Sequence, residues 1–159
     1  MIHIATLRKG DIVLSGRVFC EFLLYKHTGI FDGENVIHFR GDKPGIVESI
    51  QTATVRISSL NEFAGDDTDK LEVITCPDDI DREEVVERAM SWVGKKFNDS
   101  TWNLFTNNCE HFSRWCIFEK AESKQLETMP SVLLEFINHV TVICMKVIRE
   151  KIKPDSGLE

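Results

Sequence analysis

Asn107-Asn108-Cys109-Glu110-His111-Phe112 marks the point where a loop turns into a helix. Asn108 is the type of residue that caps a helix N-terminus, which puts Cys109 in the first turn. Phe112, Trp115, Cys116 and Phe118 then recur at helical spacing as a face to bury. A thiol at that position meets unpaired N–H groups and the positive end of the helix dipole, which favour its thiolate. The same N–H groups suit the negative oxygen that forms when a thiolate attacks a carbonyl. The bland alternative is a Cys109 that serves as a small buried hydrophobe. Choosing between the two requires a base.

Upstream of this helix the chain reads as strands. Asp11–Leu14 and Phe19–Lys26 are apolar runs that follow glycine-containing breaks. Thr28–Phe31 and Val36–Phe39 flank Asp32-Gly33, a dipeptide typical of a two-residue hairpin turn. Gly41-Asp42-Lys43-Pro44-Gly45 is a loop, and Thr52–Ile57 and Leu71–Thr75 are two further strands around a polar excursion at Gly65-Asp66-Asp67. The period then becomes helical. Asp81 and Glu84 have capping-box spacing, Val85, Val86, Ala89, Met90 and Val93 share a face, and Gly94 ends the helix. Strands followed by helices predict an α+β domain with an antiparallel sheet packed against helices.

The 159 residues fit one domain with a core, 42% hydrophobic and 28% charged, at a formal net charge of −7. Without a cluster of Lys and Arg among aromatics, nucleic acid is not an expected partner. The five cysteines, Cys20, Cys76, Cys109, Cys116 and Cys144, lack zinc or redox spacing. No apolar signal follows Met1, so free thiols in a reducing, cytoplasmic setting are expected. A metal site is not expected, because the cysteines and histidines never fall at ligand spacing.

The hairpin offers the base. If Asp32-Gly33 is the turn, Phe31 faces Glu34 and His27 lies opposite His38 on one face of the sheet. One histidine can then act as base while the other orients it. A three-residue turn would separate them onto opposite faces. His111 points away from Cys109 on the same helix, His139 belongs to the C-terminal segment, and His3 has no context.

Together, Tyr25-Lys26-His27, Gly33, Val36-Ile37-His38-Phe39 and Asn107-Asn108-Cys109-Glu110-His111-Phe112 resemble the lecithin retinol acyltransferase (LRAT)-like domain, which includes small phospholipase/acyltransferases related to an H-Ras-like suppressor. The likeness extends from Lys9-Gly10-Asp11 to Glu127, through Arg88-Ala89, Val93-Gly94 and Asn103-Leu104. It implies a circularly permuted papain-like fold, with Cys109 as nucleophile, His27 as general base, His38 as the orienting third residue and Tyr25 near the oxyanion. The implied reaction takes an acyl chain from a glycerophospholipid through a Cys109 thioester to water or to an amine or alcohol, and needs no cofactor. The chain departs from the family pattern in three places. Thr28 stands where the family usually has Trp, the interval from His27 to His38 is one residue shorter, and Arg114-Trp115-Cys116-Ile117-Phe118 replaces the usual continuation.

Residues 1–128 are read as the catalytic domain and 129–159 as an amphipathic or hydrophobic tail. From Ser131 to Ile148 a wide apolar face carries a polar stripe of Glu135, Asn138, His139, Lys146 and Arg149, the pattern of a helix lying in a membrane interface. Many members of the resembled family have a C-terminal membrane anchor. A helix packed on protein is the other reading of this segment. Two further functions fit the residues: a papain-like cysteine (iso)peptidase, towards which Thr28-Gly29 leans, and a non-catalytic membrane-associated binding protein. The sequence names no protein partner.

Overall fold

Ile12, Leu14, Ile30, Ile37 and Phe39 alternate with residues of the opposite face, and this period of two builds the sheet. The computed structural model describes residues 6–19, 23–41, 46–65, 71–103 and 107–121. Within them the strands are β1 (Ile12–Phe19), β2 (Leu23–Phe31), β3 (Asn35–Arg40), β4 (Thr54–Ser59) and β5 (Glu72–Ile74). Helices α1 (Ile46–Thr52) and α2 (Leu60–Ala64) flank β4, and α3 (Arg82–Ser91) and α4 (Cys109–Phe118) follow the last strand. The sheet has the order β4-β3-β2-β1-β5 with antiparallel neighbours throughout, so the α+β expectation holds.

Two strand boundaries differ from the sequence reading. Gly16 does not break the chain; it pairs with Lys26 inside β1, which runs on to Phe19 opposite Leu23. A Cβ at Gly16 would meet nothing within 4 Å, so glycine here is tolerated rather than required. The hairpin turn is also displaced. Phe31 pairs with Val36, and the two residues at the tip are Gly33, at φ 110°, and Glu34. Asp32 causes the shift. Its side chain accepts the N–H groups of Glu34 (2.9 Å) and Asn35 (2.6 Å), an Asx turn that moves the tip one residue along. The register therefore slips by two residues relative to expectation, and an even slip keeps every side chain on its face.

Each face of the sheet has its own core. Ile12, Leu14, Ile30, Ile37, Phe39 and Val55 pack with Val85, Val86 and Ala89 of α3, Phe97, and Phe112, Cys116 and Ile117 of α4. Val13 and Val36, on the other face, pack with Phe63 and Ala64 of α2 and with Leu71. Helix α2 escaped the sequence reading because five residues show no periodicity, and α1 follows the expected Gly41–Gly45 loop and ends at Thr52, where a strand is expected to open. Ser59 caps α2 by accepting the Glu62 N–H at 3.2 Å.

Asp81 caps α3 by accepting the Glu83 N–H at 2.8 Å. Met90 leaves the expected face and is 44% exposed, and Phe118 of α4 likewise turns outward, under the Arg114 guanidinium at 5.0 Å. Beneath α3, Asp11 is fully buried at the foot of β1. Its Oδ1 accepts the Cys76 N–H (2.9 Å) and Arg82 Nη1 (2.7 Å), and its Oδ2 accepts the Arg8 N–H (2.9 Å). One carboxylate thus ties the N-terminal loop, the β5–α3 connection and α3 together.

The chain divides into two units, 1–124 and 125–159. The helix expected from Ser131 lies outside the described residues. Among the described residues no helix is long and apolar enough to cross a membrane.

Candidate active site

Cys109 opens α4 as the sequence predicts, and Asn108 is its N-cap, accepting the N–H groups of Glu110 (2.9 Å) and His111 (3.0 Å) on Oδ1. Those two donors are thereby engaged, which narrows the expected oxyanion role of the helix start to the Cys109 N–H. The expectation of a thiolate at rest also fails. Burial pushes the Cys109 thiol from its ordinary 9.0 up to about 11, against hydrogen bonds from the Thr28 backbone, the Thr28 hydroxyl and the Glu110 N–H that pull it down. The Glu110 carboxylate adds to the upward push. Desolvation of a charge outweighs the few favourable dipoles around it.

Thr28 is the structural link between the nucleophile and the strands. Its side chain lies on the face covered by α4, fully within reach of Ser113 and of the Cys109 sulfur. The β2–β3 ladder pairs Ile30 with Ile37 and Phe31 with Val36, and Thr28 lies beyond that paired stretch. His27, one residue earlier, projects to the opposite face. There its Nε2 lies 2.7 Å from Nδ1 of His38, and His38 Nε2 lies 3.1 Å from Ser58 Oγ on β4.

The two histidines share a face without standing directly opposite, as the two-residue slip of the hairpin requires. On that register His38 falls across from Gly29. A Cβ at Gly29 would sit 2.4 Å from Val36 Cγ1 and 2.9 Å from His38 Cβ, so only glycine lets β3 bring His38 this close. Phe63 walls the pair, stacked on His27 and edge-on to His38 with both centroids at 5.2 Å. Both imidazoles are buried, His27 at 4% and His38 at 0% exposure.

Ser58 is the member of this chain that the sequence reading missed. It pairs with Val36, and this places it diagonally across from His38 on the same face. A serine in a strand carries no signal by itself, and only the β3–β4 register shows what it touches. Tyr25 falls on β2 opposite Arg17, and its side chain lies outside the described part. His111 is buried, with Nδ1 lacking a hydrogen-bond partner; burial lowers its pKa and Glu110 opposes this. Cys20, Cys144, His3 and His139 lie outside the described residues or side chains. Among the described residues, no group of three or more His, Cys, Asp or Glu could hold a metal ion.

The buried thiols make stability pH-dependent. Below pH 9 the folded and unfolded states both keep the Cys109 proton. Above 9.0 the unfolded state loses it first, so the folded state is disfavoured progressively up to about pH 11. Cys116 and Cys76 are pushed up by burial too and act with the same sign. Denaturant midpoints are expected to fall across this window, and Cys109→Ala is expected to recover up to about 3 kcal/mol of the loss. Parallel curves for the two proteins would contradict this.

No curated protein and no solved structure matches the chain. A model of the family described as lecithin retinol acyltransferase does match, over residues 5–122. That span takes in Cys109, His27, His38 and every described strand and helix, and the chain belongs to the lecithin retinol acyltransferase family.

Proposed function

We propose that this protein is a thiol-dependent phospholipase A/acyltransferase in which Cys109 takes an acyl chain from a glycerophospholipid. Family membership supports an acyl-transferring function on lipid substrates in general. The observation that carries the specific reading is the buried series His27, His38, Ser58, joined at 2.7 and 3.1 Å on the face of β2 opposite to the one where Thr28 meets Cys109. The family's papain-like fold would then be in its permuted form, with both histidines preceding the cysteine in the chain.

The proton positions follow from the roles. For His27 to act as base at Nδ1, its Nε2 must carry a proton and donate it to His38 Nδ1. His38 then carries its own proton on Nε2 and donates it to Ser58 Oγ. Because the resting thiol is neutral at pH 7, its proton must leave as sulfur attacks the ester carbonyl. In this reading His27 Nδ1 takes it once the His27 side chain turns from the face walled by Phe63 towards Cys109. The developing oxyanion is met by the Cys109 N–H, and the family resemblance assigns Tyr25 to the same task. Collapse breaks the ester bond, and the departing glycerol oxygen takes the proton from His27, giving a lysophospholipid and an acyl thioester. Water, an amine or an alcohol next attacks the thioester; His27 accepts its proton and returns it to the sulfur. In this reading, residues 129–159 carry the domain to a cytoplasmic membrane surface.

Phosphatidylcholine vesicles test the proposal. Wild-type protein is expected to release lysolipid and to carry an acyl adduct, by mass spectrometry, on the Cys109 peptide. Cys109→Ala is expected to do neither. Vesicle-bound, folded wild-type protein that yields no adduct and no lysolipid would sink the reading.

A further inference from the structure

Three buried oxygens and one sulfur around the start of α4 share three protons, and one fewer once the thiol ionises. Ser113 Oγ lies 2.9 Å from the Cys109 carbonyl oxygen and 3.1 Å from Thr28 Oγ1. The Thr28 hydroxyl is close enough to the Cys109 sulfur to favour its thiolate. Thr28, Ser113 and Cys109 are 2%, 0% and 2% exposed, so water does not readily supply a missing partner. Each hydroxyl has one proton and can donate it in one direction at a time.

The carbonyl can only accept. With Ser113 donating to it, Ser113 Oγ is an acceptor for Thr28, and the Thr28 proton points away from the sulfur. The thiol S–H then donates to Thr28 Oγ1, and all three protons are used. Loss of the thiol proton removes that donor and creates an anion enclosed by protein. A charge-assisted bond to sulfur is stronger than one between neutral hydroxyls. The lowest-energy response is for the Thr28 hydroxyl to rotate to the sulfur and the Ser113 hydroxyl to rotate to Thr28 Oγ1. The Cys109 carbonyl keeps its helical bond from the Ser113 N–H meanwhile.

We infer that Thr28 and Ser113 form a two-position hydroxyl switch that holds a proton away from Cys109 sulfur in the thiol state and delivers a hydrogen bond to it in the thiolate state. The inference rests on the reading of Cys109 as the reactive thiol. No proton passes between the hydroxyls; each rotates about its C–O bond, and the thiol proton leaves to the base of the proposed reaction. The device makes Thr28 and Ser113 positioning residues with opposite signs. Thr28 stabilises the thiolate, whereas Ser113 stabilises the thiol by accepting the Thr28 proton at rest. The other charged or titratable groups around the site are Glu110 on the same helix, which opposes the thiolate, and His27 and His38 on β2 and β3. Arg88, from α3, acts on Cys116. The switch also gives a use to the hydroxyl at a position where the resembled family usually has the bulkier Trp.

Far-ultraviolet thiolate absorbance against pH measures it, each protein being read against its own Cys109→Ala partner. Thr28→Val, which keeps the shape and removes the hydroxyl, is expected to raise the Cys109 pKa by about one unit, a tenfold loss of thiolate at a given pH. Thr28→Ser is expected to titrate with wild type. Ser113→Ala is expected to shift the titration the other way, increasing thiolate by about threefold. Two upward shifts would show a generally polar site and overturn the switch, as would a Thr28→Val titration equal to wild type. Neither outcome would touch the acyl-enzyme adduct on vesicles, whose loss from wild type would overturn the underlying reading instead.

Discussion

Replacing His27 by alanine is expected to slow acyl release from phosphatidylcholine vesicles about a thousandfold, with KM for lipid nearly unchanged. The size follows from the state of the thiol. At rest Cys109 is pushed up to about 11, so at neutral pH nearly every molecule starts as the neutral S–H. A site that stored a thiolate could lose its base and keep much of its nucleophile. This one needs the proton removed during attack. His38→Ala is expected to cost less, about a hundredfold, because it removes the group that fixes the His27 tautomer and leaves the base itself in place. Ser58→Ala should fall lower still, at about tenfold, acting through the 3.1 Å contact on His38 Nε2. Single-turnover acyl-enzyme formation in the three variants gives the order. Equal rates for His27→Ala and wild type would remove His27 from the mechanism.

The second large effect concerns stability. Asp11→Ala is expected to lower unfolding free energy by about 3 kcal/mol, read from a denaturant midpoint. The fully buried carboxylate accepts from two backbone N–H groups and from Arg82, whose side chain is 21% exposed. Removing it strands the Arg8 and Cys76 N–H groups and leaves a largely buried guanidinium without its counter-charge. The partial exposure of Arg82 keeps the loss below that of a fully enclosed pair. Asp11→Asn retains an acceptor for the backbone groups and should lie between alanine and wild type. An alanine variant as stable as wild type would mean that the carboxylate contributes no more than the water that could replace it.

These two sites show different degrees of legibility. The start of α4 could be read from Asn108 and the spacing after it, because capping and helical burial are local rules acting within a few residues. The shared face of His27 and His38 was also readable, since side-chain parity survives any even change of register. Their diagonal placement was not readable. It depends on the Asp32 side chain capturing the Glu34 and Asn35 N–H groups, which moves the turn to Gly33-Glu34. Met90 and Phe118 fit helical faces in the sequence and lie outward in the fold, because neighbouring elements set the width of each buried stripe.

The sequence by itself determined the α+β class, the place of Cys109 in a first helical turn, and the sharing of one sheet face by two histidines. These are consequences of periods of two and of 3.6 residues and of short-range hydrogen bonds. Tertiary structure decided the ionisation of Cys109, because desolvation depends on what encloses the thiol and overrides the helix end that the sequence displays. It also decided the partners. Ser58 reaches His38 across 20 residues of chain and Ser113 reaches Thr28 across 85, distances over which no sequence period holds.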